Sequence, residues 1–99
     1  MERDQRLLVK ILEVCIQDSE EWRIDASAKD IRGRFSPEQL GQWSAVIVDG
    51  HIELLVDMGC VNADGEAPNV RIQRVTNAGY NYLDRSKRLS LHSNERPIH

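Results

Sequence analysis

Apolar residues recur at helical spacing in two long segments of the chain. The first segment, residues 4–18, carries apolar side chains on one face and polar ones on the opposite stripe, and the apolar positions are Leu8, Ile11, Leu12 and Cys15. This spacing predicts an amphipathic helix. Asp4 precedes the pattern and can accept hydrogen bonds from the first free backbone N–H groups, so we expect it to cap the helix.

The second segment, residues 44–58, is predicted to be the central helix. Its predicted buried face consists of Val48, Ile52, Leu55 and Met58. Its predicted exposed stripe consists of Val46, Asp49, Gly50, Glu53 and Asp57. Gly59 follows directly and can adopt the left-handed conformation that ends many helices, so we expect the helix to stop there.

Residues 19–35 carry a weaker pattern. Trp22 and Ile24 fall on one side of a short extended segment, which favours a small strand. The segment after it, residues 25–35, favours a helical turn or two that ends near Gly33.

A clearer start signal follows at residue 36. Ser36 and Pro37 stand where an N-cap serine and a first-turn proline are preferred, so they predict another short helix. We expect Leu40 to point from this helix into the core and Gly41 to interrupt it.

Beyond Gly59, the pattern changes to short alternating segments. Residues 60–63 and 70–73 are predicted to be strands of a hairpin, with a turn at Asp64-Gly65 between them. Thr76 is then placed to cap a last helix over residues 77–87.

The order of these elements predicts an α+β fold. A helix, a weak strand, further helices, a hairpin and a closing helix are the arrangement of a winged helix-turn-helix domain, with three to four helices and a two-stranded wing. In the closing helix, Tyr80 and Leu83 are expected to face inward. We expect the domain to occupy residues 1–87 and a flexible tail to occupy residues 88–99.

Three segments of the chain resemble a known family. MERDQRLLVKILE, GHIELLVDMGCVNA and RVTNAGYNYLDR are similar to small bacterial and phage proteins that are described only as a domain of unknown function with a winged-helix fold. The positions that carry the resemblance are His51, Leu54, Leu55, Gly59, Cys60, Thr76, Gly79 and Leu83. It covers about residues 1–85, and residues 25–43 depart from the family in being longer and more polar. These are mostly core-packing positions, so the resemblance implies a fold and no catalytic residues.

Composition fits one globular domain. The chain has 99 residues, 40% of them apolar and 29% charged, which is enough for a core. No apolar run approaches the roughly 20 residues that span a bilayer. The first residues lack the pattern of a secretory signal, so we expect a cytoplasmic protein with no membrane partner. Cys15 and Cys60 are expected to be buried free thiols.

The net charge of −3 is unevenly distributed. Residues 1–70 carry 7 Lys and Arg against 14 Asp and Glu, whereas residues 71–99 carry 6 against 2. Because phosphate neutralisation supplies most of the affinity for nucleic acids, the basic residues are the candidate DNA contacts. They are Arg32, Arg34, Arg71, Arg74, Arg85, Lys87 and Arg88, with Lys29 beside the first two.

The central helix argues against a DNA contact. A recognition helix reads bases mainly with Arg, Lys, Asn and Gln, whereas this stripe offers Asp49, Glu53 and Asp57, which would repel phosphates. Two functions therefore stay open. The first is a DNA-binding, transcription-regulator-like protein, and the second is an acidic-faced module that binds a protein partner or a second copy of itself, including a host protein if the chain is phage-encoded.

The sequence carries no pattern typical of an enzyme, a metal site, a cofactor site or a small-molecule site. His51 lacks companion ligands at metal-binding spacing, so a packed or capping histidine is the favoured interpretation. Cys60 and His51 are separated by a helix end and are not expected to converge as nucleophile and base. A glycine-rich phosphate loop is absent as well.

Overall fold

A computed structural model of the chain describes residues 2–65 and 69–95, with residues 89–95 described by their backbone. In chain order, the elements are α1 (Gln5–Gln17), β1 (Ala26–Ser27), α2 (Ala28–Arg32), α3 (Pro37–Gln42), α4 (Ala45–Asp57), β2 (Val61–Asp64), β3 (Arg71–Val75) and α5 (Asn77–Glu95). Over the described ranges, five helices therefore accompany three strands. This confirms the predicted α+β class.

The strands form one antiparallel sheet in the order β1-β3-β2. The predicted hairpin is present, with Val61 of β2 opposite Val75 of β3 and Asp64 opposite Arg71. Its strands lie slightly further along the chain than predicted, so Asp64 belongs to β2 rather than to the turn. On the other edge of β3, Ala26 lies opposite Ile72. The central strand is therefore β3, and α1 and α5 both pack against it.

The first helix was predicted correctly, because its apolar face is fully buried. Five side chains of α1 have no exposed surface, namely Leu7, Leu8, Ile11, Leu12 and Cys15. The Asp4 carboxylate accepts a hydrogen bond from the backbone N–H of Arg6 at 3.0 Å, which confirms the predicted cap.

The faces of α4 also agree with the prediction in their main features. Val48, Ile52 and Leu55 are buried, whereas Met58 is only partly buried. Ser44 caps the helix by accepting a hydrogen bond from the N–H of Ile47 at 3.4 Å.

The end of α4 has the predicted left-handed glycine. Gly59 has φ +73°, and its N–H donates to the carbonyl of Val56 at 3.0 Å. The N–H of Cys60 donates to the carbonyl of Leu55 at 2.9 Å. These two bonds make a Schellman motif, which satisfies the last carbonyls of α4 and directs the chain into β2.

Close backbone contact holds the start of α5 against the end of α4. The Thr76 hydroxyl accepts a hydrogen bond from the N–H of Gly79 at 3.2 Å and donates one to the carbonyl of Gly59 at 2.5 Å. A Cβ on Gly79 would overlap the carbonyl oxygen of Cys60 and lie 2.6 Å from Cγ1 of Val75. Only glycine therefore allows this approach. The predicted cap and the predicted burial of Leu83 are confirmed, and Tyr80 is partly buried.

The strand expected around Trp22 lies further along the chain, at Ala26–Ser27. Glu20 and Arg23 instead exchange two backbone hydrogen bonds of 2.7 and 2.9 Å around a tight turn. Glu21 and Trp22 occupy that turn with φ values of 50° and 71°. Trp22 is 73% exposed, so its two-residue spacing from Ile24 reflects a turn rather than a buried strand face.

The expectations for Leu40 and Gly41 were wrong. Ser36 caps α3 as predicted, but Gly41 lies inside this helix, which ends at Gln42. Leu40 is 41% exposed, and Trp43 is the residue that enters the core, with 8% of its surface exposed. The Trp43 ring meets Phe35 edge to face, with centroids 6.1 Å apart. A helix this short offers no second turn to identify its buried side from sequence.

Residues 88–95, which were expected to belong to a flexible tail, lie within α5, which continues to Glu95. The remaining four residues of that predicted tail, 96–99, lie outside the described residues. The predicted domain boundary at residue 87 therefore falls inside a helix. Within the described ranges, none of the helices has the length and apolar character needed to cross a bilayer.

Candidate nucleic-acid interface

Several of the predicted cations lie around one open surface cleft of about 340 Å³. The polar side chains that line it are Ser27, Lys29, Arg32, Asp49, Asn69 and Arg71. Pairing of the two strands builds the cleft, because Ser27 at the end of β1 lies opposite Arg71 at the start of β3. Since α2 begins directly after β1, its basic residues are carried to the turn end of the β2–β3 hairpin, where Asp64 lies opposite Arg71.

Arg32 is tied to the central helix by an ion pair. Its guanidinium Nη1 donates to Oδ1 of Asp49 at 2.6 Å. The two side chains are 25% and 40% exposed, so the pair is partly shielded from solvent. It joins one candidate DNA contact to one candidate protein contact. No sequence pattern relates these residues, because they lie 17 positions apart on different helices.

Arg71 is held by two carboxylates, one from Asp25, just before β1, and one from Asp30 of α2. Its Nε donates to Oδ1 of Asp25 at 2.6 Å, and its Nη2 lies 3.9 Å from Oδ2 of Asp30. The hydrogen bond that Arg71 donates to the Asp25 carboxylate is the main reason that the pKa of Arg71 is raised. The pKa of Asp30 is lowered, chiefly because its carboxylate accepts the backbone N–H of Ser27. Both groups are therefore charged at neutral pH.

The cleft is basic in side-chain type and close to neutral in formal charge. Its cations Lys29, Arg32 and Arg71 are matched in number by the carboxylates of Asp25, Asp30 and Asp49. Any anion that binds here therefore meets guanidinium groups that already have carboxylate partners.

The other predicted cations do not line this cleft. Arg34 pairs with Asp18 at the end of α1, and Lys87 lies 4.0 Å from Glu13. Three more are exposed and, among the described side chains, form no ion pair within 4 Å; they are Arg74, Arg85 and Arg88. The structure thus gathers two of the seven candidates, Arg32 and Arg71, together with Lys29.

The exposed stripe of α4 is partly apolar. Glu53 and Asp57 are exposed as predicted, whereas Asp49 is partly buried and paired. Val46 is 78% exposed and Val56 is 36% exposed, so apolar surface lies at both ends of the acidic stripe. The sequence prediction included Val46 and missed Val56, which falls at the edge of the helical stripe.

His51 has a structural role. Its side chain is fully buried, Nε2 accepts the backbone N–H of Asp4 at 2.8 Å, and Nδ1 lies 2.7 Å from the carbonyl oxygen of Ile47. Because Nε2 accepts the N–H of Asp4, the tautomer that fits both contacts carries a proton on Nδ1, which then donates to the carbonyl of Ile47. The interpretation of a packed, capping histidine is confirmed, and His51 links α4 to the start of α1.

A second, more apolar cleft of about 530 Å³ lies beside this histidine. Trp43, Val46 and Ile47 form much of its wall, and Asp4 lies at its edge. The indole N–H of Trp43 donates to Oδ2 of Asp4 at 3.0 Å, and this hydrogen bond is the main reason that the pKa of Asp4 is lowered. No feature of the sequence indicated this cleft, because it depends on the unpredicted position of Trp43.

The two cysteines are buried free thiols, as predicted. Burial raises the pKa of Cys15 to about 12 and also raises the pKa of Cys60. Both are therefore protonated at neutral pH and are weak nucleophiles. In the part of the chain that the structure describes, no three His, Cys, Asp or Glu side chains stand close enough together to hold a metal ion.

Comparisons of the chain with protein families, with curated proteins and with solved structures find no match.

Proposed function

We propose that this chain is a winged-helix protein that binds double-stranded DNA mainly through backbone phosphates. The observation that carries the proposal is the convergence of Lys29, Arg32 and Arg71 on one open cleft beside α4 and the hairpin. Two helical segments and a β-hairpin contribute side chains to the same surface, which is how a winged helix would hold a duplex.

The topology supports the winged-helix assignment. A helix and a short strand precede the helices that lead to α4, a hairpin follows, and the short strand pairs with the second hairpin strand. In this assignment, α4 is the recognition helix and β2–β3 is the wing. One departure is the additional short helix α3 between α2 and α4.

The charge of α4 limits the kind of DNA binding that fits. The exposed residues Glu53 and Asp57 repel phosphates, and among the described side chains of the α4 stripe none is Lys, Arg, Asn or Gln. Positioning contacts therefore come from the cleft, and we expect affinity in the non-specific range, with Kd about 10⁻⁴–10⁻⁶ M at physiological salt.

Fluorescence anisotropy with a labelled random duplex tests the proposal. Lys29→Gln should weaken binding and reduce the slope of log affinity against log salt by about 1, because one phosphate contact is lost. Arg71→Gln should weaken binding by less, because Asp25 already occupies its guanidinium. Arg23→Gln is the matched control, since this exposed arginine does not line the cleft. Absence of binding by the unmodified protein near ~10⁻⁴ M at low salt would refute the proposal.

The exposed apolar residues of α4 favour a second candidate, a protein-interaction module. Val46 and Val56 flank Glu53 on a stripe that a complementary apolar and basic surface would cover. Light scattering of the purified chain tests self-association, and pull-down with the purified chain tests a separate partner. Val46→Ser should weaken the association, whereas Ala78→Ser, on the exposed side of α5, should leave it unchanged. A monomer that captures no partner would exclude this candidate.

A further inference from the structure

The arginines of the cleft already have anionic partners on the protein itself. Arg32 donates to Asp49 and Arg71 donates to Asp25, both at 2.6 Å. A carboxylate and a phosphate bind the same face of a guanidinium, through the same parallel N–H groups. A phosphate that approaches either arginine must therefore share the guanidinium with a carboxylate or replace that carboxylate.

The Arg32–Asp49 pair is the more restrictive of the two. It is partly shielded, whereas Asp25 is 77% exposed and its attraction to Arg71 is more strongly screened by solvent. Asp49 also belongs to α4, so its charge faces the same incoming duplex that Arg32 would contact. Asp49 thus offsets the positive charge that Arg32 would otherwise present to a phosphate.

From this geometry, and resting on the proposed DNA binding, we propose that Asp49 is an affinity-determining residue that competes with DNA phosphate for Arg32. Asp25 competes in the same way at Arg71. The cleft then gains affinity when either carboxylate is neutralised, because the freed guanidinium makes one additional phosphate contact. The unmodified protein binds DNA below the strength that its three cleft cations would otherwise give.

A double-mutant cycle in the full chain tests this competition, with binding to a 20-bp random duplex measured at several salt concentrations. Asp49→Asn should tighten binding about fivefold near 0.1 M salt and steepen the salt slope by about 0.9, the contribution of one phosphate contact. In an Arg32→Gln background, the same substitution should change affinity less than about twofold, because no guanidinium remains to be freed.

Glu53→Gln is the matched control. It removes the same charge from the same helix, one turn further on, at an exposed residue that has no ion pair among the described side chains. It should change affinity less than about twofold and leave the salt slope unaltered, because only a screened long-range repulsion is removed. Thermal unfolding checks that each variant is folded, and Asp25→Asn at its exposed site provides an independent test if Asp49→Asn does not fold.

The possible outcomes distinguish the competition at Arg32 from the DNA binding on which it rests. Tighter binding that depends on Arg32 supports the competition. If every variant binds DNA and the affinity of Asp49→Asn equals that of the unmodified protein or of Glu53→Gln, the competition is overturned and the DNA-binding proposal stands. Absence of binding by every variant, including Asp49→Asn and Asp25→Asn at low salt, overturns both.

Discussion

Substitution of Gly79 by alanine is the sharpest test of how α5 is seated. The added Cβ would overlap the Cys60 carbonyl oxygen and approach Cγ1 of Val75 to 2.6 Å. The Cys60 carbonyl cannot move away easily, because it accepts the backbone N–H of Thr76 at 2.9 Å. Overpacking of this kind costs about 1–3 kcal/mol, and loss of the hydrogen bond would cost about 1 kcal/mol more.

The higher helix propensity of alanine offsets part of this cost, by up to about 1 kcal/mol. We therefore expect Gly79→Ala to lower the free energy of unfolding by about 2 kcal/mol, which corresponds to a decrease of roughly 1–2 M in the urea midpoint. Circular dichroism during urea titration measures this midpoint.

Gly41→Ala is the matched control for the same chemical change. Nothing lies within 4 Å of the Cβ that it would add, and Gly41 is inside α3. This variant should be more stable than the unmodified protein by about 0.5–1 kcal/mol. If Gly79→Ala also leaves the protein unchanged or more stable, the start of α5 does not lie in close contact with the Cys60 carbonyl.

Three further predictions concern the core and the start of α1. Leu55→Ala should cost about 2–5 kcal/mol in urea unfolding, because a fully buried leucine leaves a cavity, and a loss under about 1 kcal/mol would contradict its burial. His51→Phe should cost about 1–3 kcal/mol by removing the acceptor for the Asp4 N–H and the donor to Ile47, and a neutral result would contradict the hydrogen bonds described. The lowered pKa of Asp4 contributes stability that is present above its unfolded pKa, near 3.8, and is lost as pH falls through the folded pKa. Because the hydrogen bond from Trp43 is the main cause of the lowered pKa, the stability difference between the unmodified protein and Trp43→Phe should shrink as pH falls below about 4. If the stability difference stays the same across this pH range, the hydrogen bond from Trp43 is not the cause of the lowered pKa of Asp4.

Local patterns in the sequence predicted the elements that depend on local chemistry. The helical spacing of Leu8, Ile11 and Leu12 identified α1, and Gly59 identified the end of α4, because periodicity and backbone sterics act within a few residues. The same holds for Thr76, whose position before a helical segment predicted the cap of α5. Elements of this kind need no knowledge of the remaining chain.

The failures occurred where distant parts of the chain decide the structure. β1 has only two residues, and it is a strand because Ala26 pairs with Ile72 of β3. A pairing between residues so far apart leaves no local pattern in the sequence. Trp43, rather than Leu40, is buried in the core, where its ring packs against Phe35. The candidate site was predicted as a set of basic residues, and the sequence did not indicate that Asp49 and Asp25 hold two of them.

These ion pairs change how the acidic character of α4 bears on function. As a sequence, Asp49, Glu53 and Asp57 form one repulsive stripe, whereas in the structure Asp49 is neutralised by Arg32 and only Glu53 and Asp57 remain without a partner among the described side chains. The residual repulsion therefore lies toward the C-terminal half of α4, away from Asp49 and the cleft that it lines. If the proposed DNA contact is correct, the duplex must approach at the cleft, between α2 and the hairpin, and the C-terminal half of α4 must stay outside the groove. That placement leaves Val56 and Asp57 free for a protein partner, so the two proposed functions need not compete for the same surface.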